Sequence, residues 1–420
     1  MTQRNAARRV LIIVENLPAP FDRRVWAEAT TLARAGYVVS IICPMMKGYD
    51  AEYEMIDGVA IYRHPLHEAG AVGEYLKEYS GALYHQLRLA FRVRRERGFD
   101  VIHACNPPDL IFIVAALFKA LFGVRFIFDH HDLCPELFEA KFGGRGLRWR
   151  LLLLLERLTF ALADVSIATN ESYREVAIRR GGMKAERVFV ARSGPRLDKI
   201  IQRSPNPALK RGAKYLIGYV GVIGRQEGLD LLVDAAAHLV NRLGRADAHF
   251  AIIGDGPELA AVKAYAAAIG VSDYFSFLGR VDDETFLEAL STADICVNAD
   301  RWCALNDMST MNKILEYMAL GKPIVQFDLV EGRRSAGAAS LYAKPDDAAD
   351  FARQIDILLG DRTLREAMGK IGRERIVREL SWAHSEPALL DAYEMALAPN
   401  PRAATAGAVA AQSGPKAVAP

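Results

Sequence analysis

The sequence predicts an α/β protein of two Rossmann-like domains, each a parallel sheet covered by helices, with a ligand cleft between them. Three observations predict it. At 420 residues the chain exceeds one compact core of ordinary size. Short apolar runs alternate with amphipathic helical runs in two series, the rhythm of parallel sheets with helices on both faces. Between the series lies a polar stretch with Pro205, Pro207 and several Lys and Arg, the composition of a linker. The expected organisation is a first domain over residues 1–198, a linker over 199–214 and a second domain over 215–385. A helix over 386–398 is expected to pack back across the cleft, followed by a disordered Ala/Pro/Gly-rich tail over 399–420.

In the first series, residues 10–14, 38–43, 100–103, 125–128, 165–168 and 188–191 read as strands, being short apolar runs bounded by polar or glycine punctuation. Residues 24–35, 75–97, 111–122, 147–162 and 172–179 read as helices, the first stopped by Gly36. In the second series the strands are 216–220, 248–253, 274–278, 295–298 and 324–327, alternating with helices 229–243, 258–269 and 283–290. Sheets of this kind bind ligands beyond the carboxyl ends of their strands.

Bulk properties exclude several classes. The chain is 51% hydrophobic and 25% charged, ordinary for a globular protein, and a net charge of +2 argues against a dedicated nucleic-acid binder. Five cysteines (Cys43, Cys105, Cys134, Cys296 and Cys303) have no CxxC spacing, so neither a zinc site nor a disulfide framework is indicated, and a reducing cytoplasm fits. Basic residues followed by a short apolar run make the N-terminus a buried strand and not a signal peptide. No run supplies about 20 uninterrupted apolar residues, so no membrane span is expected. Arg145, Arg148 and Arg150 lead into a Leu-rich helix, and Arg88, Arg92, Arg94, Arg95 and Arg97 crowd another. Such helices either pack on a sheet and expose their charges or rest on an anionic membrane.

The stretch around which the chain is organised is 305–325. Asn306, Asp307, Ser309 and Thr310 are good capping residues; Ile314, Leu315, Met318 and Leu320 follow near helical spacing, and Gly321 and Pro323 end the helix. A polar loop feeding a helix start suits an anion, because free N–H groups and the helix dipole point the same way. Lys313 and Glu316 lie inside the helix. The plain alternative is a capped surface helix. Upstream, Gly218-Tyr219-Val220-Gly221-Val222-Ile223-Gly224-Arg225-Gln226-Glu227-Gly228 follows a strand and precedes a helix. Its glycines let a phosphate approach the backbone and Arg225 can pair with it, or the segment is simply a tight turn.

On the first domain, Asp129-His130-His131-Asp132 lies just past a strand end. Neighbouring residues on extended chain point to opposite faces, so the two histidines do not share a metal ion. One of them bonding a substrate, oriented by an acid such as Asp132, is the better reading. His103, Asn106 and Asp109 are expected at the same mouth. Asp22, Arg23 and Arg24 open the first helix, where the arginines meet an anionic acceptor or form surface ion pairs.

With those residues in view, positions 10–397 resemble glycosyltransferase family 4, the retaining GT-B-fold sugar-nucleotide transferases. The resemblance rests on Tyr219-Val220-Gly221, Ile253-Gly254-Asp255-Gly256-Pro257, Phe277-Leu278-Gly279-Arg280-Val281 and the run from Leu315 to Val325. The stretches FDRRVWAEATTLARAGYVVSIICP, HACNPPD and DHHDLCPELFEAKFG look like a bacterial subgroup of exopolysaccharide or surface-polysaccharide assembly. The resemblance implies that Glu316 binds ribose hydroxyls, that His131 lies near the reacting sugar, that Ser309 and Thr310 offer backbone N–H groups to a diphosphate, and that Gly279, Arg280 and Val281 hold the base. Gly221, Gly224, Arg225 and Lys313 then complete the donor side, with Arg225 and Lys313 acting on the leaving group beside His131. Asp22, Arg23, Arg24, His103, Asn106, His130 and Asp132 form the acceptor side.

Two departures stand out. Met308 occupies the place of the family's first acid, and Val222 and Glu227 replace an Arg and a Lys of the glycine turn. The expected partners are a UDP- or GDP-sugar, a lipid-linked or polysaccharide acceptor and the inner membrane by peripheral contact; no cofactor or metal is expected. The competing reading is a catalytically impaired partner protein that kept the fold.

Overall fold

The computed structural model describes residues 7–66 and 75–398; the expected tail over 399–420 lies outside them. The first sheet contains β1 (Arg9–Val14), β2 (Val38–Met45), β3 (Tyr53–Ile56), β4 (Val59–Pro65), β5 (Val101–Cys105), β6 (Arg125–His130), β7 (Val165–Ala168) and β8 (Val188–Val190), in the order β3-β4-β2-β1-β5-β6-β7-β8. Every neighbouring pair is parallel except β3 and β4. The second sheet, all parallel, contains β9 (Tyr215–Val220), β10 (Ala248–Ile253), β11 (Phe275–Gly279), β12 (Ile295–Asn298), β13 (Ile324–Phe327) and β14 (Ser340–Ala343), in the order β11-β10-β9-β12-β13-β14. The strand order reverses between β1 and β5 in one sheet and between β9 and β12 in the other. Beyond the carboxyl ends at such reversals, neighbouring loops splay apart and leave a crevice.

Alternation along β1 shows why both faces are covered. Val10, Ile12 and Val14 pack into one apolar cluster while Leu11 and Ile13 pack into another. Each such side chain contributes about 1.5–3 kcal/mol on burial. Because both faces are apolar, a one-residue slip in register would still bury apolar groups. Register is therefore tied to the strand ends, where polar residues must stay at the mouth.

The second series was expected to end at β13, but the helices Val330–Ala336, Ala348–Gly360 and Arg362–Arg375 and strand β14 follow it, and further elements differ as well. β3 and β4 form a hairpin where no element was expected, although Asp57 (φ 48°) and Gly58 (φ 81°) are an Asp-Gly turn of the kind that favours one. Cys134–Phe142 is a helix with Pro135 at its start, where only a polar loop was read. The last helix begins at Trp382 and not in the high 380s, so Pro387 sits in its second turn, where it removes a single intrahelical bond. That helix packs on the first domain, against β6, β7, β8 and the helix Arg23–Arg34. Residues of the 199–214 segment bond to the second domain, through Lys210 Nζ to Asp294 Oδ2 (2.8 Å) and Arg203 N to Ser291 Oγ (2.9 Å). No helix among the described residues is long and apolar enough to cross a membrane.

Candidate functional site

β9 delivers the chain into Gly221, which holds φ 152°. A Cβ at Gly254 (φ 135°) would run into the carbonyl of Gly221, and one at Gly256 would run into the backbone of Ile223. These glycines therefore let the turns after β9 and β10 lie backbone to backbone. The ammonium of Lys313 projects to this turn: a Cβ on Gly221 would sit 3.4 Å from Lys313 Nζ, which lies 2.9 Å from Asp300 Oδ1 and 4.9 Å from the centroid of the Tyr219 ring. Burial alone would lower the Lys313 pKa, but Asp300 and Tyr219 outweigh it and raise the value, so the ammonium stays charged. Asp300 went unnoticed in the sequence. Its signal was its place, two residues beyond β12 at the strand-order reversal.

Arg225 does not join this cluster. It is exposed and lines two cavities, the second bounded by residues of both domains. One, about 530 Å³, is shared with Asp230, Tyr265 and Arg301; the other, about 330 Å³, with Lys141, Phe142 and Trp302. Glu227, in place of a lysine, folds into the turn, its carboxylate accepting from Gly224 N at 3.1 Å.

Glu316 lies one turn beyond Lys313 on the helix Asn312–Ala319 and is largely buried. Burial raises its pKa, opposed by Arg23, whose Nη1 donates to Glu316 Oε1 at 2.7 Å. Gly279 (φ 69°) ends β11 beside this pair, and Arg280 stacks its guanidinium 5.3 Å over Phe21. Ser309 and Thr310 turn their hydroxyls to the first domain: Tyr173 Oη meets Ser309 Oγ at 2.9 Å, and Asn170 Nδ2 donates to Thr310 Oγ1 at 3.1 Å. The same Asn170 donates to the carbonyl of Met308 at 2.9 Å, and the Met308 side chain packs on the first domain's core. Position 308 is thus an apolar contact between domains.

The residues expected on the acceptor side separate into distinct roles. Asp22 caps the first helix, accepting from Arg24 N and Val25 N at 3.0 Å each. Arg23 reaches the second domain. Arg24 turns inward and is buried, donating through Nη2 to Asp129 Oδ1 (2.7 Å), through Nε to Asp129 Oδ2 (3.1 Å) and through Nη1 to the Ala191 carbonyl (2.7 Å). Asn106 shapes the mouth, accepting from His131 N at 2.7 Å and donating to the Asp132 carbonyl at 2.7 Å and to Asp109 Oδ1 at 2.9 Å. Burial pushes the Asp109 carboxyl up to about 7.

His131 is oriented by Asp129, with which its Nε2 makes a short contact, and not by Asp132. Burial opposes ionisation of Asp129, yet Arg24 and His131 hold its pKa well below the ordinary range. His103 and His130 do not line the mouth. His103 is fully buried, its Nδ1 2.7 Å from Tyr393 Oη on the last helix. His130 points to the opposite face from His131, among Phe128, Phe160 and Tyr173, and burial lowers its pKa to about 3, leaving it neutral.

Glu28, Cys105, Asp129 and His131 have ligand atoms within 4.8 Å of one another, a spacing that could suit a metal ion. The guanidinium of Arg24 already stands among them, 3.1 Å from Glu28 and bonded to Asp129 and His131, and burial keeps the Cys105 thiol protonated. The positive charge of this cluster is supplied by the chain itself, so the donor set does not fit a metal.

Two family models cover the two halves: residues 22–194 match one described as glycosyl transferase 4-like domain, and 214–361 match one described as glycosyl transferases group 1. Alpha-D-kanosaminyltransferase of Streptomyces kanamyceticus is 25% identical over 72% of this chain and 78% of its own length. Several further curated relatives are matched over 46% to 55% of their length. Among solved structures, sucrose-phosphate synthase from Thermosynechococcus elongatus superposes with a TM-score of 0.76 at 18% identity, covering 95% of this chain and 100% of that one. Anabaena HepE in complex with UDP and glucose gives 0.71 at 14% identity, covering 92% and 99%. The fold is the two-domain GT-B arrangement.

Proposed function

We propose that this chain, a glycosyltransferase of GT-B architecture, moves a sugar from a UDP- or GDP-sugar to a lipid-linked or polysaccharide acceptor in bacterial surface-glycan assembly. The observation that carries the reading is the cradle at the β9–β12 reversal, where a glycine turn, a charged Lys313 and a buried Glu316 face the cleft from one helix and one loop. A diphosphate fits the turn and the ammonium, and ribose hydroxyls fit the carboxylate.

As the bond from the anomeric carbon to the diphosphate breaks, the leaving group gains negative charge, which the ammonium of Lys313 stabilises. The acceptor hydroxyl attacks on the same face and passes its proton to the departing phosphate oxygen. Configuration is thereby retained without an enzymic nucleophile, and no step needs a metal. His131, held by Asp129, bonds the transferred sugar. The Asn170, Tyr173 and Arg192 contacts to Met308, Ser309 and Thr310 support a closed cleft that excludes water.

A peripheral membrane role is supported by the helix Leu147–Leu162. Its Leu147, Leu151, Leu154 and Leu158 are exposed along one face, with Arg148, Arg150 and Arg157 exposed beside them. Thermal-shift titration with UDP, GDP and their sugars tests the donor reading, since a ligand of the native state raises its melting temperature. No shift with any nucleotide at millimolar concentration would end it.

A further inference from the structure

Glu316 has a partner from the other domain. Arg23 donates through Nη1 to Glu316 Oε1 at 2.7 Å and through Nη2 to Asp283 Oδ1 at 2.9 Å, with its guanidinium 5.6 Å from the Phe286 ring centroid. The three side chains differ in exposure: 15% for Glu316, 59% for Arg23 and 87% for Asp283. A largely buried carboxylate without a partner is costly, and Arg23 supplies one. Ribose hydroxyls are also donors and approach the same carboxylate that the guanidinium of Arg23 stands against.

We propose that Arg23 sets donor affinity: it competes with the ribose for Glu316, and when a nucleotide enters it is handed wholly to Asp283. The exposed Asp283 is a parking place within reach of the same guanidinium, so the exchange needs a side-chain rotation and no backbone movement. Glu316 is then never left bare, because its partner is Arg23 before binding and the ribose afterwards. Phe21 under Arg280 brings a second first-domain side chain to the same place, so the segment opening the first helix closes over the nucleoside end of the donor. The inference rests on the reading of Glu316 as the ribose acceptor.

The test is calorimetric titration of the full-length chain with UDP and with GDP at pH 8. The proteins are wild type, Arg23→Ala, Asp283→Asn, the double variant and Glu316→Gln. Arg23→Ala is expected to tighten nucleotide binding by about threefold to tenfold, the scale of a partly exposed ion pair. Asp283→Asn is expected to weaken it, because Arg23 then has only Glu316, and the double variant should match Arg23→Ala. Unchanged or weaker binding by Arg23→Ala overturns the competition, and an Asp283→Asn effect that persists without Arg23 overturns the hand-over. If Glu316→Gln still weakens binding in either case, the ribose reading stands while the inference falls. If Glu316→Gln binds normally, or if no protein binds nucleotide, both fall.

Discussion

At the strand-order reversal of the first sheet the chain buries a guanidinium, two carboxylates and an imidazole beneath its last helix. At the reversal of the second sheet it leaves a glycine turn, an ammonium and a largely covered carboxylate facing the cleft. Both places are crevices beyond parallel strands, so topology does not separate them. What differs is the material at the crevice. Around β1, β5 and β6, long side chains (Arg24, Glu28, His103, Asp129) fill the space and Tyr393 and Trp382 close it. Around β9, β10 and β12, Gly221, Gly254 and Gly256 carry no side chains, and the turns after β9 and β10 lie backbone to backbone. One crevice is a structural lock and the other is the proposed receptor.

The largest effect should come from opening the lock. Arg24→Ala leaves Asp129 and Glu28 buried without their cation and is expected to cost about 3–5 kcal/mol of stability in chemical denaturation. A loss under about 1 kcal/mol would mean the first crevice is not load-sharing, and the contrast would collapse. Glu316→Ala, in the receptor, is expected to weaken UDP or GDP binding by about tenfold to a hundredfold, the worth of hydrogen bonds to a charged group. Its melting temperature should stay near that of wild type. His131→Ala lies where lock and cleft meet. It should leave nucleotide affinity unchanged and lower transfer by about tenfold, one lost hydrogen bond in the reacting complex. Unchanged turnover would remove His131 from the chemistry.

The smallest effect is one of pH. Burial raises the Glu316 carboxyl above its ordinary value of 4.5, and only the ionised form accepts from both ribose hydroxyls. Nucleotide affinity should therefore be complete above the raised value and fall as pH drops through it, beginning above the ordinary glutamate range. Titrations of wild type and Glu316→Gln isolate this component, because the donor's own phosphate titration is common to both. Parallel pH curves would show that Glu316 is not the group responsible.

Much of the proposed receptor was legible in the sequence because its parts are local. A strand running into Gly221, and Lys313 and Glu316 within one helix, are patterns of a few residues. The lock was not legible. Arg24 and Asp129 are 105 positions apart and His103 and Tyr393 are 290 apart, and no local pattern joins them. Phase along extended chain correctly separated His130 from His131, but it did not say which of the two faces the cleft. Asp132 seemed the natural orienting acid by adjacency in sequence. Asp129, two residues earlier, is the one on the same face as His131, as alternation along a strand requires. The last helix starts at Trp382, ahead of the expected 386, where Trp382 packs on Thr31 in the first domain, a contact no local pattern announces.

That last helix has a consequence for the order in which the molecule can be made. Trp382 Nε1 donates to Thr31 Oγ1 at 2.9 Å, Ser385 Oγ donates to the Arg192 carbonyl at 2.9 Å, and Leu389 and Tyr393 lie in the first domain's core. A chain emerging from the ribosome completes every strand of its first sheet long before these residues exist. The apolar cluster that the last helix shares with the helix Arg23–Arg34 is therefore completed only after the whole second domain has been synthesised, a departure from the usual N-terminal-first completion of domains.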